Sequence, residues 1–505
     1  MSLCLSTSAV CSRYALLLYW AHWNPLMIHG GINRRRTCID ILDDDSLLFI
    51  FYLCRPVPFE EGNNDHDGVM EEERWEGESY WWYMLAWVCR RWRHLILVAP
   101  SYLGVSLVCR PGTPVADMLA YSPPLPLVID HLHHFRDITA EDEEGILLAL
   151  KHRDRVRRIR FQVQGTVPSL ERVIAAIDGG FPMLQCLYIQ LVFTSVNWSL
   201  PSTLFTPQLR HLRLSELPFP IEYPLPAGLV TLSLEFITPS ANFGPNELLQ
   251  QLSLVPHLKT LTITFDSLLS DQDIERKLLQ TPLLTHITLI NLRWFMFKGP
   301  STYIKSVLPR IAMPLLKVAE FRLPKPPHFA LSISLVLTFV YRAENPRFRD
   351  VRVTFDTWRV VVTMYPHEET GMPALRLQDV CRVSAEGLVS TLRRFRAMGP
   401  VFSEVELLTL EDKTPFGLHK NSSIRTDWHE LLGFFTKVRT LHVARGDLIE
   451  ELSHYLQPHG DESPIELLPM LGVLSCPKGS HMGESCESFL AARRDAGHAV
   501  TISHH

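Results

Sequence analysis

The chain has 505 residues, of which 46% are hydrophobic, and a formal net charge of −5. This length predicts several domains or one long repeat array, and the apolar content is ample for a buried core. The small negative charge gives no general attraction to nucleic acid or to an anionic membrane, so neither is expected as a partner. The ten cysteines are scattered without a C-x-x-C pair, which disfavours a zinc site or a disulfide framework and favours reduced thiols in the cytoplasm or nucleus.

The first 32 residues form a leader in front of the first predicted helix. An apolar run at 14–20, behind Arg13, faintly suggests a secretory signal, but no small-residue cleavage site follows it cleanly. We interpret these residues as a disordered leader or a wrongly predicted one. No apolar run in the chain reaches the roughly 20 residues that a membrane-spanning helix needs, so no membrane attachment is expected.

Two short amphipathic helices are predicted within residues 33–100. The first lies in 39–51, where an aspartate or a serine can cap a helix that has one apolar side. The second lies in 87–97, where apolar residues such as Val88 and Trp92 recur at helical spacing. So small a core buries too little surface to be stable alone, and the two helices therefore need a partner surface.

The segments I-D-I-L-D-D-D-S-L-L-F-I-F at 39–51 and V-C-R-R-W-R at 88–93 resemble the opening and the end of an F-box. Residues 99–107 and 123–130 are similar to the long F-box proteins of mushroom-type fungi. The resemblance implies that these helices bind the Skp-type adaptor of a cullin–RING ubiquitin ligase. Some of the apolar residues must instead form the small core of the F-box itself. The candidate adaptor contacts are Leu42, Leu47, Leu48, Phe51, Val88, Trp92 and Leu95.

Two features depart from the F-box pattern. Ile41 and Leu42 stand where the usual Leu-Pro opens the motif, and an acidic insertion at 59–79 separates its two halves. The charge of the insertion favours an exposed loop, with a partner-binding acidic loop as the alternative. A second hypothesis therefore stays open, in which the chain is a non-catalytic repeat scaffold whose F-box is vestigial and does not bind the adaptor.

Residues 101–135 are predicted to link the F-box to the rest of the chain. A strand is expected at 101–107 and a turn at 110–114, and the proline-rich residues 123–126 would stiffen the connection. A cluster of polar side chains follows, which either ligates a metal or forms a surface turn, and the surface turn is favoured. Its members are Asp130, His131, His133 and His134.

A repeat is predicted from residue 136 to residue 480. The pattern apolar-x-x-apolar-x-apolar recurs at intervals of 20 to 34 residues, which is the spacing of leucine-rich repeats, stretched in the second half. Helices are expected between the strands, at 141–150, 168–177, 246–254, 271–279, 385–398 and 426–435. The middle residues of the twelve copies are Ile159, Leu187, Leu212, Leu232, Leu261, Ile287, Phe321, Val351, Leu375, Leu408, Leu441 and Leu471.

The predicted fold class is therefore α/β, with a small helical F-box followed by a leucine-rich-repeat-like solenoid. Parallel strands would line its concave face and helices its convex face. The array would be closed by residues 481–505, where a capping helix at 485–496 has a polar outer side and Gly497 ends it.

The concave face would present the residues between the apolar strand positions to a protein substrate. Several of these are arginines, which either form a charged edge or bind phosphate or an acidic peptide. The candidate substrate-binding residues are Arg157, Arg158, Arg160, Arg210 and Arg213.

No catalytic motif is found in the sequence: there is no G-x-x-x-x-G-K-[ST], no H-E-x-x-H and no G-x-S-x-G. Cys486 lies at a predicted helix start, where a thiolate is favoured, but no partner base is identifiable. We expect no enzyme activity, no metal and no cofactor. The expected function is that of a substrate receptor, which raises the effective concentration of a bound protein near the ubiquitin-conjugating enzyme.

Overall fold

The computed structural model of the chain describes residues 42–55, 81–131, 139–164, 168–192, 200–217, 223–237, 244–265, 286–324, 348–355, 359–366, 375–380, 402–413, 432–445, 448–449, 452–453, 456, 466–479 and 483–504. The predicted leader, the acidic insertion, the helices at 271–279 and 385–398, most of the helix at 426–435, and the side chains His133 and His134 lie outside the described residues. The chain divides into two compact units, an N-terminal unit (Met1–Ser233) and a C-terminal unit (Leu234–His505).

A group of short helices opens the N-terminal unit, and we call residues 42–55 and 81–103 the helical head. Its elements are α1 (Asp44–Leu53), a helical segment at 81–86, α2 (Arg90–Val98) and α3 (Pro100–Leu103).

The strand predicted at 101–107 is wrong. Pro100 stands in the first turn of α3, where its fixed φ suits a helix, and Gly104 ends that helix with a φ of 66°. The apolar residues of this segment serve the helix, since Leu103 is fully buried, and the strand begins only at Leu107.

Parallel strands alternate with helical segments through the rest of the N-terminal unit. They are β1 (Leu107–Cys109), α4 (Val115–Tyr121), β2 (Leu127–His131), α5 (Ala140–Leu150), β3 (Val156–Gln164), α6 (Pro168–Ile177), β4 (Cys186–Val192), a 3-10 turn at Ser202–Leu204, and β5 (His211–Ser215). Strands β1 to β5 lie in chain order, and each pairs in parallel with the next. The helices predicted at 141–150 and 168–177 are confirmed. The ladder already starts in residues that the sequence assigned to a linker, because β1 and β2 are its first two strands.

The apolar positions of the repeat form one continuous core on one side of this ladder. Ile159, Leu187 and Leu212 lie opposite one another on adjacent strands, and all three are fully buried. Because side chains alternate along a strand, the intervening positions lie on the opposite side, which we call the polar face. Burying each such apolar side chain contributes about 1.5–3 kcal/mol, so the periodic pattern itself specifies which side becomes core.

Asp142 joins α5 to the turn that follows β1. Thr139 and Asp142 form a capping box, in which the Asp142 backbone N–H donates to Thr139 Oγ1 at 3.2 Å and Asp142 Oδ2 accepts from the Thr139 backbone N–H at 3.0 Å. Its other oxygen, Oδ1, accepts from the Gly112 backbone N–H at 2.5 Å. Through these hydrogen bonds the carboxylate, which is nearly buried, links the start of α5 to a distant turn.

Replacing Asp142 with alanine is expected to cost about 2–3 kcal/mol of stability, because hydrogen bonds to a buried carboxylate are lost from two segments. Thr139→Ala should cost only about 1 kcal/mol, since it removes the cap alone. Hydrogen exchange of the α5 and 110–114 amides would measure both effects, with the exposed Glu141→Ala as control. Equal losses for Asp142→Ala and Thr139→Ala would contradict the link to the turn.

The C-terminal unit continues with strands and short helices, and the boundary between the units falls within β6 (Thr231–Ile237). The further elements are α7 (Pro245–Ser253), β7 (Thr260–Phe265), β8 (Ile287–Thr288), β9 (Trp294–Lys298), α8 (Ser301–Val307), a 3-10 turn at Leu308–Arg310, β10 (Ile311–Ala312), β11 (Val318–Pro324), β12 (Phe348–Phe355), β13 (Arg359–Pro366), β14 (Leu375–Val380), β15 (Leu407–Asp412), β16 (Thr440–Val443), β17 (Val473–Cys476), α9 (Glu484–Asp495) and β18 (Thr501–His504). The helix predicted at 246–254 is confirmed as α7.

Among the described residues of this unit, a ladder runs in the order β7-β9-β11-β14-β13-β12-β15-β16-β17-β18. Its pairs are parallel except on the two sides of β13, which is antiparallel to both β12 and β14. Strand β13 was not predicted. Its sequence R-V-V-V-T-M-Y-P is strongly apolar and β-branched, but it does not carry the repeat pattern that defined the other strands.

Three of the twelve predicted strand copies are placed wrongly. The copy centred on Ile287 forms β8, which pairs with β10 in a separate two-stranded sheet, while β9 takes the place in the ladder with Leu292, Phe295 and Phe297 buried. The copy centred on Phe321 is shifted by two residues, because Ala319 and not Phe321 pairs with Phe295 and with Leu375. The last copy is shifted by three residues, because Leu474 and not Leu471 pairs with Leu441. All three errors arise because neighbouring segments satisfy the same loose apolar pattern.

The end of the described chain is a helix followed by a strand. The capping helix predicted at 485–496 is confirmed as α9, and Gly497 takes a φ of 81° just beyond it. The segment predicted as a tail instead forms β18, which pairs in parallel with β17. Within the described ranges, no helix is both long and apolar enough to cross a bilayer.

Candidate functional site

The helical head has its own small core. On α1, Leu47 and Phe51 are one helical turn apart and buried, and the Phe51 ring packs edge-on against Trp92 of α2 at a centroid distance of 4.8 Å. Leu95 of α2 is also buried. The local sequence specifies this arrangement, because the Asp43 carboxylate caps α1 and accepts from the Ser46 backbone N–H, which lowers the pKa of Asp43.

A polar clamp ties the start of α1 to α2. Arg91 donates from Nε and Nη2 to Asp44 Oδ1 at 2.9 and 2.7 Å, and Nη2 also donates to the Leu42 carbonyl at 2.6 Å. Arg93 donates from Nε to the Ala86 carbonyl at 3.1 Å, and burial together with the charge of Arg90 lowers the Arg93 pKa. The Arg91 bonds thus tie α2 to the start of α1, and the Arg93 bond ties α2 to the helical segment at 81–86.

The seven candidate adaptor contacts fall into three groups by burial. Leu47, Phe51 and Leu95 are buried in the core of the head, and Leu42, Leu48 and Trp92 are half-buried. Val88 is 58% exposed. The first three therefore cannot touch a partner without rearrangement of the head.

Several large apolar side chains of the head are exposed, and all of them except Val88 were missed by sequence reasoning. Nearly every residue of α1 after Asp45 is apolar, so spacing alone does not tell which stripe is buried. The exposed large hydrophobic residues of the head are Phe49, Ile50, Tyr52, Leu53, Met84, Trp87, Val88, Val98 and Tyr102, and we call them the apolar patch of the head.

Three arginines are brought together on the polar face of the N-terminal unit. One row of this face runs across four strands in register and consists of Asp130 of β2, Arg160 of β3, Tyr188 of β4 and Arg213 of β5. Arg158 lies two residues before Arg160 on β3 and therefore on the same face. The Arg160 guanidinium lies 3.4 Å from the Asp130 carboxylate, and the Arg213 guanidinium carbon lies 4.9 Å from the Tyr188 ring centroid. We call Arg158, Arg160, Tyr188 and Arg213 the arginine rung.

The other two candidate substrate-binding arginines lie apart from this rung. Arg157 is the extra residue of an irregularity in the pairing of β2 with β3, where Val156 pairs with Leu127 and Arg158 already pairs with Val128. Arg210 precedes β5, is exposed, and donates from its guanidinium to the Gly228 carbonyl at 2.7 Å.

Three side chains that could take part in metal binding or catalysis, His131, Cys476 and Cys486, are buried. His131 was predicted in a surface turn, and that prediction is wrong: it ends β2, is buried, and its ring lies 5.6 Å from that of Phe161. Cys486 is fully buried. Cys476 Sγ lies 3.4 Å from His504 Nδ1, but burial raises the Cys476 pKa and so favours the protonated thiol. The part of the chain that the structure describes holds no group of three or more metal-ligating side chains.

Comparison with known proteins finds distant likenesses among solved structures. No family model matches the chain, and no curated protein does. Among solved structures the chain is similar to the leucine-rich repeat-containing protein LegL7 from Legionella pneumophila, with 11% identity, a TM-score of 0.27, and coverage of 68% of this chain and 99% of that chain. A TM-score this low does not establish a shared fold. The fold of this chain is therefore described from its own parallel strand ladders.

Proposed function

We propose that this chain is a non-catalytic substrate-receptor subunit of a cullin–RING ubiquitin ligase. In this proposal the helical head binds a Skp-type adaptor, and the strand ladder of the N-terminal unit binds a protein client. The F-box resemblance of 39–51 and 88–93 supports the first half, and the repeated parallel strands with a polar, half-buried face support the second. Binding a client next to the conjugating enzyme accelerates transfer by proximity alone.

The observation that carries the proposal is the apolar patch of the head. Of the 17 large hydrophobic side chains that are exposed among the described residues, nine belong to residues 49–102. Exposed apolar side chains scattered singly need no explanation, but such a concentration on the short helices of the head supports an interaction surface there. The buried core of the head is small, so a partner that covers this patch would also stabilise the head itself.

Ile50→Asp should weaken binding of a Skp-type adaptor by about 30-fold or more, because it places a charge where an apolar anchor would be buried. Leu254→Asp is the matched control, since Ile50 is 39% and Leu254 is 40% exposed and Leu254 lies outside the head. Titration of the purified full chain with the adaptor would measure both affinities, with circular dichroism to check that each variant stays folded. Equal affinities for the two variants would contradict an adaptor site on α1.

The second candidate function is a repeat scaffold with a vestigial F-box. Ile41 and Leu42 in place of the Leu-Pro opening, together with the acidic insertion at 59–79, favour it. It requires that the wild-type chain show no adaptor binding at all, while still binding a client protein. The same titration therefore separates the two functions.

A further inference from the structure

We propose that the arginine rung binds an extended acidic segment of the client, one that carries aspartate or glutamate at alternate positions. This inference names the chemistry of the client segment, and it therefore rests on the client-binding half of the proposed function. It concerns only the N-terminal unit and is independent of the adaptor.

The charge on this part of the ladder is the first argument. The polar-face positions of β2 to β5 hold three arginines, Arg158, Arg160 and Arg213, against the single carboxylate of Asp130. Glu216 follows the end of β5, so the surface stays positive even when it is included. The whole chain carries a formal charge of −5, which makes this local excess of positive charge a property of the site and not of the protein.

Spacing is the second argument. Neighbouring strands lie about 4.8 Å apart, so Arg160 and Arg213, with Tyr188 between them, are separated by about 10 Å at the backbone. Arg158 and Arg160 are two positions apart on one strand, which is about 6.6 Å. An extended peptide repeats its side chains on one side at the same distance of about 6.6 Å, so two carboxylates at alternate positions match Arg158 and Arg160. A single phosphoryl group offers one anionic centre, whereas alternate carboxylates offer several at the spacing of these strand positions.

The side-chain arrangement is the third argument. The Arg213 guanidinium lies over the Tyr188 ring, and this cation–π contact restrains it before any ligand arrives. A guanidinium has five N–H donors, so Arg160 can keep its 3.4 Å ion pair with Asp130 and still donate to a second carboxylate. The side chain of Arg160 is 13% exposed, and in such a largely desolvated position a charge-assisted bond is stronger than on an open surface.

The test is a binding titration of the full chain with fluorescein-labelled peptides of ten residues. The probe carries four glutamates at alternate positions, and the comparison peptides replace these with glutamine or carry one phosphoserine in place of the four glutamates. Arg213→Gln should weaken binding of the glutamate peptide by about 10-fold or more, because it removes charge-assisted hydrogen bonds. Arg210→Gln makes the same change of charge next to the rung but outside it, and it should change the affinity less than twofold.

Four results would overturn the proposal. One is equal affinity for the glutamate and glutamine peptides, and another is an equal loss from Arg210→Gln and Arg213→Gln, which would indicate non-specific charge attraction. Tighter binding of the phosphoserine peptide would make a phosphoryl group the ligand instead. Binding that is seen only after the acidic residues of 59–79 are changed to their amides would make the chain's own insertion the occupant. Adaptor titration is a separate measurement, so its failure is distinguishable from each of these.

Discussion

Replacing Phe51 with alanine is expected to lower the stability of the helical head by about 3–5 kcal/mol. Phe51 is fully buried, and truncation leaves a cavity against the Trp92 ring, which lies at 4.8 Å. The loss of the edge-on aromatic contact adds about 0.5–1.5 kcal/mol to the loss of buried area. Since the head has few other buried side chains, no neighbouring cluster compensates for the cavity.

Ile50→Ala is the matched control for this prediction. Ile50 is adjacent in sequence but 39% exposed, so its truncation should change stability by less than about 0.5 kcal/mol. Hydrogen exchange of the α1 and α2 amides measures both variants on the intact chain. Phe51→Ala and the earlier Ile50→Asp would weaken adaptor binding for different reasons. Phe51→Ala would do so because the head unfolds, and Ile50→Asp because a charge replaces an apolar side chain at the contact. Similar exchange rates in Phe51→Ala and wild type would show that Phe51 is not the centre of this core.

The repeat could be predicted from the sequence because two periodicities coincide in it. Apolar residues alternate within each strand, and the strands recur at a nearly regular interval, so Ile159, Leu187 and Leu212 were assigned correctly to one buried row. Ile287 was assigned wrongly to that row, although its local pattern is as good. The partner strands decide the position: Phe295 lies between Leu261 and Ala319, and those pairings are not encoded in any short window.

The candidate sites show the same limit at the level of side chains. The arginines were singled out by residue type, but which of them align depends on the irregularity at Arg157, which shifts the register of β3 against β2 by one residue. In the head, α1 is apolar on all sides, so burial of Phe51 and exposure of Ile50 follow from where α2 lies and not from spacing. A sequence pattern thus specifies which residues can face a core or a partner, while long-range pairing decides which of them do.

A second large effect on stability is expected from replacing Arg493, which lies on α9, the helix before the last strand. Its side chain is fully buried, and its guanidinium donates to the carbonyls of Leu467, Leu468 and Leu471 at 3.3, 3.1 and 3.2 Å. Leu468 has a left-handed φ of 49°, and the three carbonyls belong to the irregular coil before β17. The guanidinium thus satisfies acceptors of a segment that lies outside the strand ladder.

Burial of this cation is itself costly, and desolvation lowers the pKa of Arg493. Arg493→Met removes that cost but leaves the three carbonyls without the guanidinium donors. The Leu468 carbonyl still accepts from the Leu471 backbone N–H at 3.0 Å, so the cost of about 1–3 kcal/mol for each unsatisfied carbonyl applies to Leu467 and Leu471. The carbonyl term is the larger one, so we expect a net loss of about 3 kcal/mol. Hydrogen exchange of the β17 and β18 amides is the appropriate measurement, because those strands pair beside the coil that Arg493 holds.

Arg494→Met is the control, since Arg494 is the next residue of the same helix and is exposed. It makes the same change of charge and of helix propensity, and it should leave exchange of β17 and β18 close to wild type. Arg493→Lys adds a further comparison, because an ammonium is a compact group with three donors on a shorter side chain and cannot span three carbonyls as the planar guanidinium does. Full protection of both strands in Arg493→Met would show that the coil is held by its apolar residues alone. Faster exchange in Arg493→Met, with Arg493→Lys between it and wild type, would identify the guanidinium as the group that closes this end of the ladder.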